Sequence, residues 1–513
     1  MSDDQKAPDA AATTGLDLHL DLELSGPRLR AGLEDALREA VQTGRLAAGT
    51  RLPASRTLAA DLGVARNTVA DAYGQLVAEG WLTARQGSGT RVAEHPQAPA
   101  PAEPSDRHMR SGMYMRSGMY MQPDMRMHPD MYMRSDMYMQ ADMYMQPDMR
   151  VPRFDLRPGR PDLSDFPRAE WLAAARRAIT AMPSAALGYG DPRGQPELRA
   201  ALASYLARAR GVRASPGQIV ICSGFTQALA LLGRVLAGPG RATALAVEAY
   251  GHQHHRDVIA AQGLAIPPVA VDEHGAVITD VARHPEAGGL LLTPAHQFPL
   301  GVALAPQRRN EAVQWAARTG AVVIEDDYDG EFRYDRRAVG AMQALAPEHV
   351  IYAGTASKTL APAVRLAWIV VPGRLLDDVV SAKALTDRHG SSLDEMTLAE
   401  LITSGAYDRH VRRARLRYRR RRDWLVRALT RVLPAARLTG VAAGMHAVLH
   451  LPPGAREDDV IAAAAGRGLA LDGMRNFRPP AAAHPEALVL GYGTPPAHAF
   501  TTAVTRLCAI LAA

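Results

Sequence analysis

The stretch Val350–Val370 reads "VIYAGTASKTLAPAVRLAWIV": two apolar runs flank a Ser/Thr-rich turn that carries a lysine. Lysine is scarce in this chain. Of 59 basic residues only three are lysines, Lys6, Lys358 and Lys383. Lys6 lies in a tail whose composition reads as disordered, and Lys383 sits in a polar helical stretch that reads as solvated. Lys358 follows a strand. An amine desolvated there has a lowered pKa and can form a Schiff base with an aldehyde cofactor. Thr355, Ser357 and Arg365 are placed to hold a phosphate on that cofactor. A single lysine after a strand is ordinarily solvated, so the reading rests on what surrounds it.

Short apolar runs such as "QIVICSG", "GGLLLTPA" and "AVVIEDDY" alternate with helical segments from Phe154 onward. Buried runs separated by helices imply a mostly parallel sheet, with ligands beyond the carboxyl ends of the strands. After the first run, Ser223, Gly224, Phe225 and Thr226 open a helix, and free N–H groups at a helix start suit a phosphate. After the third run, "EDDYD" sets four acids in five positions. Without a histidine in that stretch, a carboxylate paired with a protonated ring nitrogen is a better reading than a metal site.

Together these motifs resemble the fold-type I aminotransferases, and more narrowly the aminotransferase-like domain of MocR-type regulators. The resemblance is carried by "LGYGDPRGQPELRAALASYLARARGV", "TPAHQFPLGVALAPQRR", "VVIEDDYDGEFRYD", the lysine stretch and "RHVRRARLRYRRRRDWL". It implies that pyridoxal 5'-phosphate is the cofactor. Lys358 then attaches it, Asp326 meets its pyridine nitrogen and Tyr328 its ring hydroxyl. Arg365 and Ser357 take its phosphate with Gly224, Phe225 and Thr226. Gln297 (or His296) takes the place of a ring-hydroxyl amide, and Tyr250 is an aromatic near the cofactor face. Aminotransferases typically clamp a substrate carboxylate with an arginine near the C-terminus. Here the last strand reads "ALVLGYGT" without one, and Arg475 and Arg478 precede it. That departure fits a domain that senses a small molecule better than one that turns it over.

Upstream, Leu33, Leu37 and Val41 form an apolar helix stripe, "SRTLAADLG" reads as a second helix capped by Ser55, and a third runs from Arg66 to Glu79 with Gly80 as its stop. "WLTARQGSGTRV" reads as two strands around a Gly-Ser-Gly turn. Pro27–Val92 carries nine Arg against six acids. Gly44 to Val92 resembles the winged helix of GntR-type regulators, except that Ala65 stands where a capping residue is usual. By that plan Arg66, Asn67 and Thr68 enter a major groove, while Arg56, Arg85 and Gly87 add contacts to double-stranded DNA.

Between the two parts lies "MRSGMYMRSGMYMQPDMRMHPDMYMRSDMYMQADMYMQPDMR", Met109–Arg150, with fourteen of the chain's 20 Met. Thioethers are soft ligands for Cu(I), but the regular repeat, rich in turn formers, reads as an expanded spacer without a metal. The arginine run Arg409–Arg422 reads as a solvated helix face, with a second DNA-facing surface as the rival. Cys222 and Cys508 read as small buried hydrophobes. No apolar run approaches the roughly 18 residues that span a bilayer, and the N-terminus reads as no secretory signal. Net charge +6 favours an anionic partner.

The expected multidomain plan is a tail (1–25), a mostly α winged helix-turn-helix (26–93), a linker (94–152) and an α/β aminotransferase-like domain (153–513). The last has a large subdomain about 185–375 and a small one largely 376–513. The expected function is a cytoplasmic, homodimeric, head-to-tail transcriptional regulator without a membrane partner. It senses pyridoxal 5'-phosphate, or an amine or amino-acid effector, through Lys358. The alternatives are an aminotransferase with a vestigial winged helix and a cofactor-binding scaffold without a DNA role.

Overall fold

The computed structural model describes residues 29–42, 46, 48–62, 64–85, 89–93, 153–238, 240–334, 339–434, 437–478 and 486–512. The tail, the methionine repeat and Gly87 lie outside the described residues.

The N-terminal head comprises α1 (Leu29–Gln42), α2 (Ser55–Asp61), α3 (Arg66–Glu79) and an antiparallel hairpin of β1 (Leu82–Arg85) and β2 (Gly89–Val92). Leu33, Leu37 and Ala40 on α1, Leu58 and Ala59 on α2, and Val69, Ala72, Tyr73 and Leu76 on α3 are all buried, so three apolar stripes close one core. Ser55 does not cap α2. It is already the first helical residue, and Ala54 holds the cap position without a side-chain bond. α3 likewise starts behind Ala65 with no side-chain cap. Its end is firmer. Gly80 takes φ 89°, a left-handed value that glycine adopts without a Cβ penalty, and its N–H reaches the carbonyls of Leu76 and Val77. Arg38 on α1 grips Glu79 through two N–H donors at 2.8 and 2.9 Å, which fixes α1 against α3.

The body is built on a seven-stranded sheet. In chain order its strands are β3 (Ile219–Cys222), β4 (Ala244–Glu248), β5 (Pro268–Val269), β6 (Ala287–Leu292), β7 (Val322–Asp326), β8 (Val350–Thr355) and β9 (Ala367–Val370). Their order across the sheet is β3-β9-β8-β7-β6-β4-β5. Only β9 runs antiparallel to its neighbours. Its connection from β8 contains no α-helix long enough to cross over. The antiparallel return brings the start of β9 to the same edge as the end of β8. Helices α4 (Phe225–Leu236) and α5 (Pro306–Thr319) follow the sheet's strands.

A second sheet holds β10 (Leu438–Thr439), β11 (His446–His450), β12 (Asp472–Gly473) and β13 (Ala487–Gly491) in the order β10-β11-β13-β12. The segment at Phe154–Asp155 pairs with Leu469–Ala470, so the start of the body is sewn to its C-terminal part. The arginine run lies on the 27-residue helix α6 (Ala406–Val432). Arg409, Arg412, Arg413, Arg419 and Arg420 are exposed. Arg421 is buried, donating to Asp162 and to three backbone carbonyls. Lys383 also departs from the sequence reading. It is fully buried, with its Nζ 2.7 and 3.0 Å from the two carboxylate oxygens of Asp387, one helical turn on.

Head and body share one apolar core. Leu76, Trp81 and Val92 belong to the same buried cluster as Val313, Trp315 and Leu345. Asn310 of α5 donates to the Gly80 carbonyl at 3.5 Å. Among the described residues no helix is long and apolar enough to cross a membrane.

Candidate functional site

At the carboxyl ends of β4, β6, β7 and β8 the body holds a cavity of about 220 Å³. Its lining includes Lys358, Asp326, Tyr328, Ser357, Arg365, Phe225, Thr226 and Tyr250. The chain thus brings together residues spread over 140 positions because each lies near a strand end at one edge of the sheet, Arg365 just before the antiparallel β9.

Lys358 is half-buried, and its Nζ donates to the Gly159 carbonyl at 2.6 Å. Burial holds its pKa below the usual lysine value, partly offset by the negative charges of Asp326 and Asp329. Asp326 ends β7 inside the pocket. Burial pushes its carboxyl well above the usual range, and the Lys358 charge opposes that push. Tyr328 donates to the carbonyl of His296 at 2.9 Å, with Nδ1 of the same histidine 3.1 Å away. His296 Nδ1 in turn lies 2.9 Å from Asp329.

The other end of the pocket is a cradle. Arg365 donates to the Ser223 carbonyl. Gly224 precedes α4 with φ 93°, and a Cβ there would stand 2.8 Å from the Arg365 guanidinium. Only glycine takes that φ without strain and lets the Arg365 guanidinium lie against the start of α4. Thr355 Oγ1 donates to Ser357 Oγ at 3.0 Å, so two hydroxyls stand beside the arginine. An anion seated there would meet a guanidinium, hydroxyls and the first N–H groups of α4.

Gln297 stands elsewhere. It is fully buried, and its amide donates to Glu248 at 3.3 Å and to the Tyr250 and Phe298 carbonyls at 3.1 and 2.7 Å. The neighbouring Phe298 lines the pocket instead. Beside Tyr250, His252 also lines it, stacked on Phe298 with centroids 4.2 Å apart and planes at 17°. Burial holds His252 well below the usual histidine pKa and takes His255 down to about 3, so both rings are neutral. Glu248, pushed up to about 7 by burial, receives the Thr293 hydroxyl at 2.5 Å. "EAYGHQHHRD" carried the signal for His252 and His255: three histidines just past a buried strand. Arg475 pairs with Asp458 at 2.6 Å, and Val489 of β13 is buried with Phe298 and Phe477.

In the head Arg66, Asn67 and Arg56 are exposed, and Thr68 is half-buried in the first turn of α3. Arg85 lies in β1. The docked end of α3 is the opposite one, at Gly80, so its first turn stays open to solvent.

A three-helix head with a hairpin wing, joined to this sheet and pocket, defines a class: a winged-helix regulator built on a pyridoxal-phosphate-dependent aminotransferase fold. The family profile for aminotransferase class I and II matches residues 156–475, and that for bacterial regulatory proteins of the gntR family matches 29–92. A probable rhizopine catabolism regulatory protein, MocR of Rhizobium meliloti, is 34% identical over 90% of this chain and 88% of its own. The pyridoxine biosynthesis transcriptional regulator PdxR of Corynebacterium glutamicum is 29% identical over 90% of this chain and 91% of its own. Among solved structures, the α-aminoadipate aminotransferase LysN of Thermus thermophilus superposes with a TM-score of 0.62 at 28% identity, covering 70% of this chain and 92% of that one. The chain belongs to the MocR-type subfamily of GntR transcriptional regulators.

Proposed function

We propose that the chain is a DNA-binding transcriptional regulator that senses pyridoxal 5'-phosphate, or a small amine or amino acid that competes for it, through the amine of Lys358. The observation that carries this reading is the pairing of a desolvated lysine with a buried carboxylate at one end of the cavity and an arginine–glycine cradle at the other. The residues fit the cofactor: the Arg365 guanidinium, the Thr355 and Ser357 hydroxyls and the first residues of α4 line one end of the cavity whose other end holds Lys358 and Asp326.

When bound, the cofactor would supply an aldehyde carbon electrophilic toward a neutral amine. Lys358 supplies that amine, and its lowered pKa raises the neutral fraction. Asp326 would set its carboxyl against the ring nitrogen, whose positive charge would favour the ionised carboxylate that burial alone disfavours, and Tyr328 would offer a hydroxyl to the ring oxygen. Arg365, Ser357 and Thr226, with the N–H groups behind Gly224, hold the phosphate. Phe298 and His252 close the pocket and exclude water. The exposed first turn of α3 reads an operator, in the cytoplasm, as a head-to-tail homodimer. Effector and DNA binding are then coupled by about 1–3 kcal/mol.

The absorbance spectrum of the purified full chain, followed by borohydride trapping and peptide mapping, tests the reading. The expected result is a visible band and a label on Lys358, both lost in Lys358→Ala. A protein that stays colourless after reconstitution, or a label on another side chain, overturns it.

A further inference from the structure

Lys383 has no part in the pocket described above, yet it is fully buried. It lies in the last turn of the helix Gly373–Thr386, and its Nζ meets both carboxylate oxygens of Asp387. The chain turns sharply just past that acid. Arg388 takes φ 65°, and among the described residues the only other non-glycine residue in the left-handed region is Arg365, at φ 54°. Side chains resist such values, which persist where the surroundings impose them. The two strained residues stand at opposite ends of one hydrogen-bonded chain.

From Asp387 that chain runs through Gln227 to the turn before α4. The Gln227 side-chain amide donates to Asp387 Oδ2 at 2.6 Å, and its oxygen accepts the Ser223 N–H at 2.6 Å. A carboxylate on one side and an N–H on the other leave that amide a single orientation. The Ser223 carbonyl accepts from Arg365. The peptide groups on both sides of Ser223 are therefore held, one by Gln227 and one by the arginine. Phe225 and Thr226, just beyond, line the cavity, and N–H groups at a helix start have no partner within the helix. A bare carboxylate behind such a seat would repel a phosphate. Lys383 cancels that charge, so the group that reaches the seat is a neutral amide.

We infer that the relay Lys383–Asp387–Gln227 positions the phosphate seat and sets the preference of the site for a phosphorylated over a dephosphorylated aldehyde. None of the three lines the cavity, so they are positioning residues that act through the Ser223 backbone. This rests on the Lys358 reading above and deepens it.

The test is equilibrium binding of pyridoxal 5'-phosphate and of pyridoxal, which lacks the phosphate, to the cofactor-free full chain, both followed by the visible band. Gln227→Met keeps the length of the side chain and removes both of its bonds. The expected result is that its preference for the phosphorylated aldehyde falls at least about tenfold while its affinity for pyridoxal holds. Lys383→Met strips Asp387 of its counter-charge and should lose at least as much. Adding Asp387→Asn removes the stray charge and leaves an amide oxygen to accept from Gln227, so part of the preference should return. Melting curves of the cofactor-free variants show which are folded, and either the Gln227 variant or the Lys383 pair decides the matter alone. A preference untouched in Gln227→Met, an equal loss for both aldehydes, or a double variant no better than Lys383→Met overturns the inference. Failure of the Lys358 reading looks different: neither aldehyde gives a band in the unaltered chain.

Discussion

The acid run Glu325–Asp329 shows what a single position decides. Read as a cluster, it suggested one site for a cation. On the strand, successive side chains point to opposite faces, and the acids part company. Glu325 accepts the N–H groups of Met342 and Gln343 at 2.7 and 2.8 Å. Asp326 enters the pocket, Asp327 takes a buried two-pronged bond from Arg210 at 2.6 and 3.0 Å, and Asp329 meets His296. Lys358, Asp326 and Arg365 were legible because each borders a recognisable apolar run. Of the two expected amide-place residues, Gln297 turns its amide to Glu248 and backbone carbonyls while His296 meets Tyr328, because side-chain direction in the turn "AHQFPLG" is not periodic. Lys383 looked solvated because Asp387, its partner, is invisible without the helix register. Gly224 is the sharpest single-residue test. Alanine there adds a Cβ 2.8 Å from the Arg365 guanidinium at a φ that side chains resist. Gly224→Ala should cost about 1–3 kcal/mol of cofactor affinity. Equilibrium binding of pyridoxal 5'-phosphate followed by absorbance measures it, and unchanged affinity would show that the start of α4 is not a phosphate seat.

Elements were more legible than contacts. The limits of α3 follow from its apolar spacing and from Gly80, and the structure gives Arg66–Glu79. The direction of β9 was less plain, since "VIYAGT" and "AWIV" are equally apolar. What settles it is the short, helix-poor connection, which cannot carry the chain back to start a parallel strand. For the head, the open first turn of α3 makes its own prediction. Asn67→Ala should weaken operator binding by about 1–3 kcal/mol and relax base preference at one position. Arg66→Ala, if its contact is to phosphate, should instead weaken all DNA alike and flatten the salt dependence by about one counterion. Fluorescence anisotropy with specific and scrambled duplexes over a salt series separates the two. No change in either variant would remove α3 from the interface.

At the scale of the whole chain, the apolar cluster common to head and body has a thermodynamic outcome. A reading head tethered as an independent bead would melt by itself. Here the residues that stabilise α3 from below, Leu345 among them, belong to the body, so heating the body dissolves the floor on which the head stands. Differential scanning calorimetry of the full chain should give one endotherm, with the head's unfolding enthalpy inside it, and two separated endotherms would contradict the shared core. Small molecules that raise the melting point of the pocket would then raise that of the DNA-reading end by the same number of degrees, an exchange of cohesion between distant parts that needs no moving hinge.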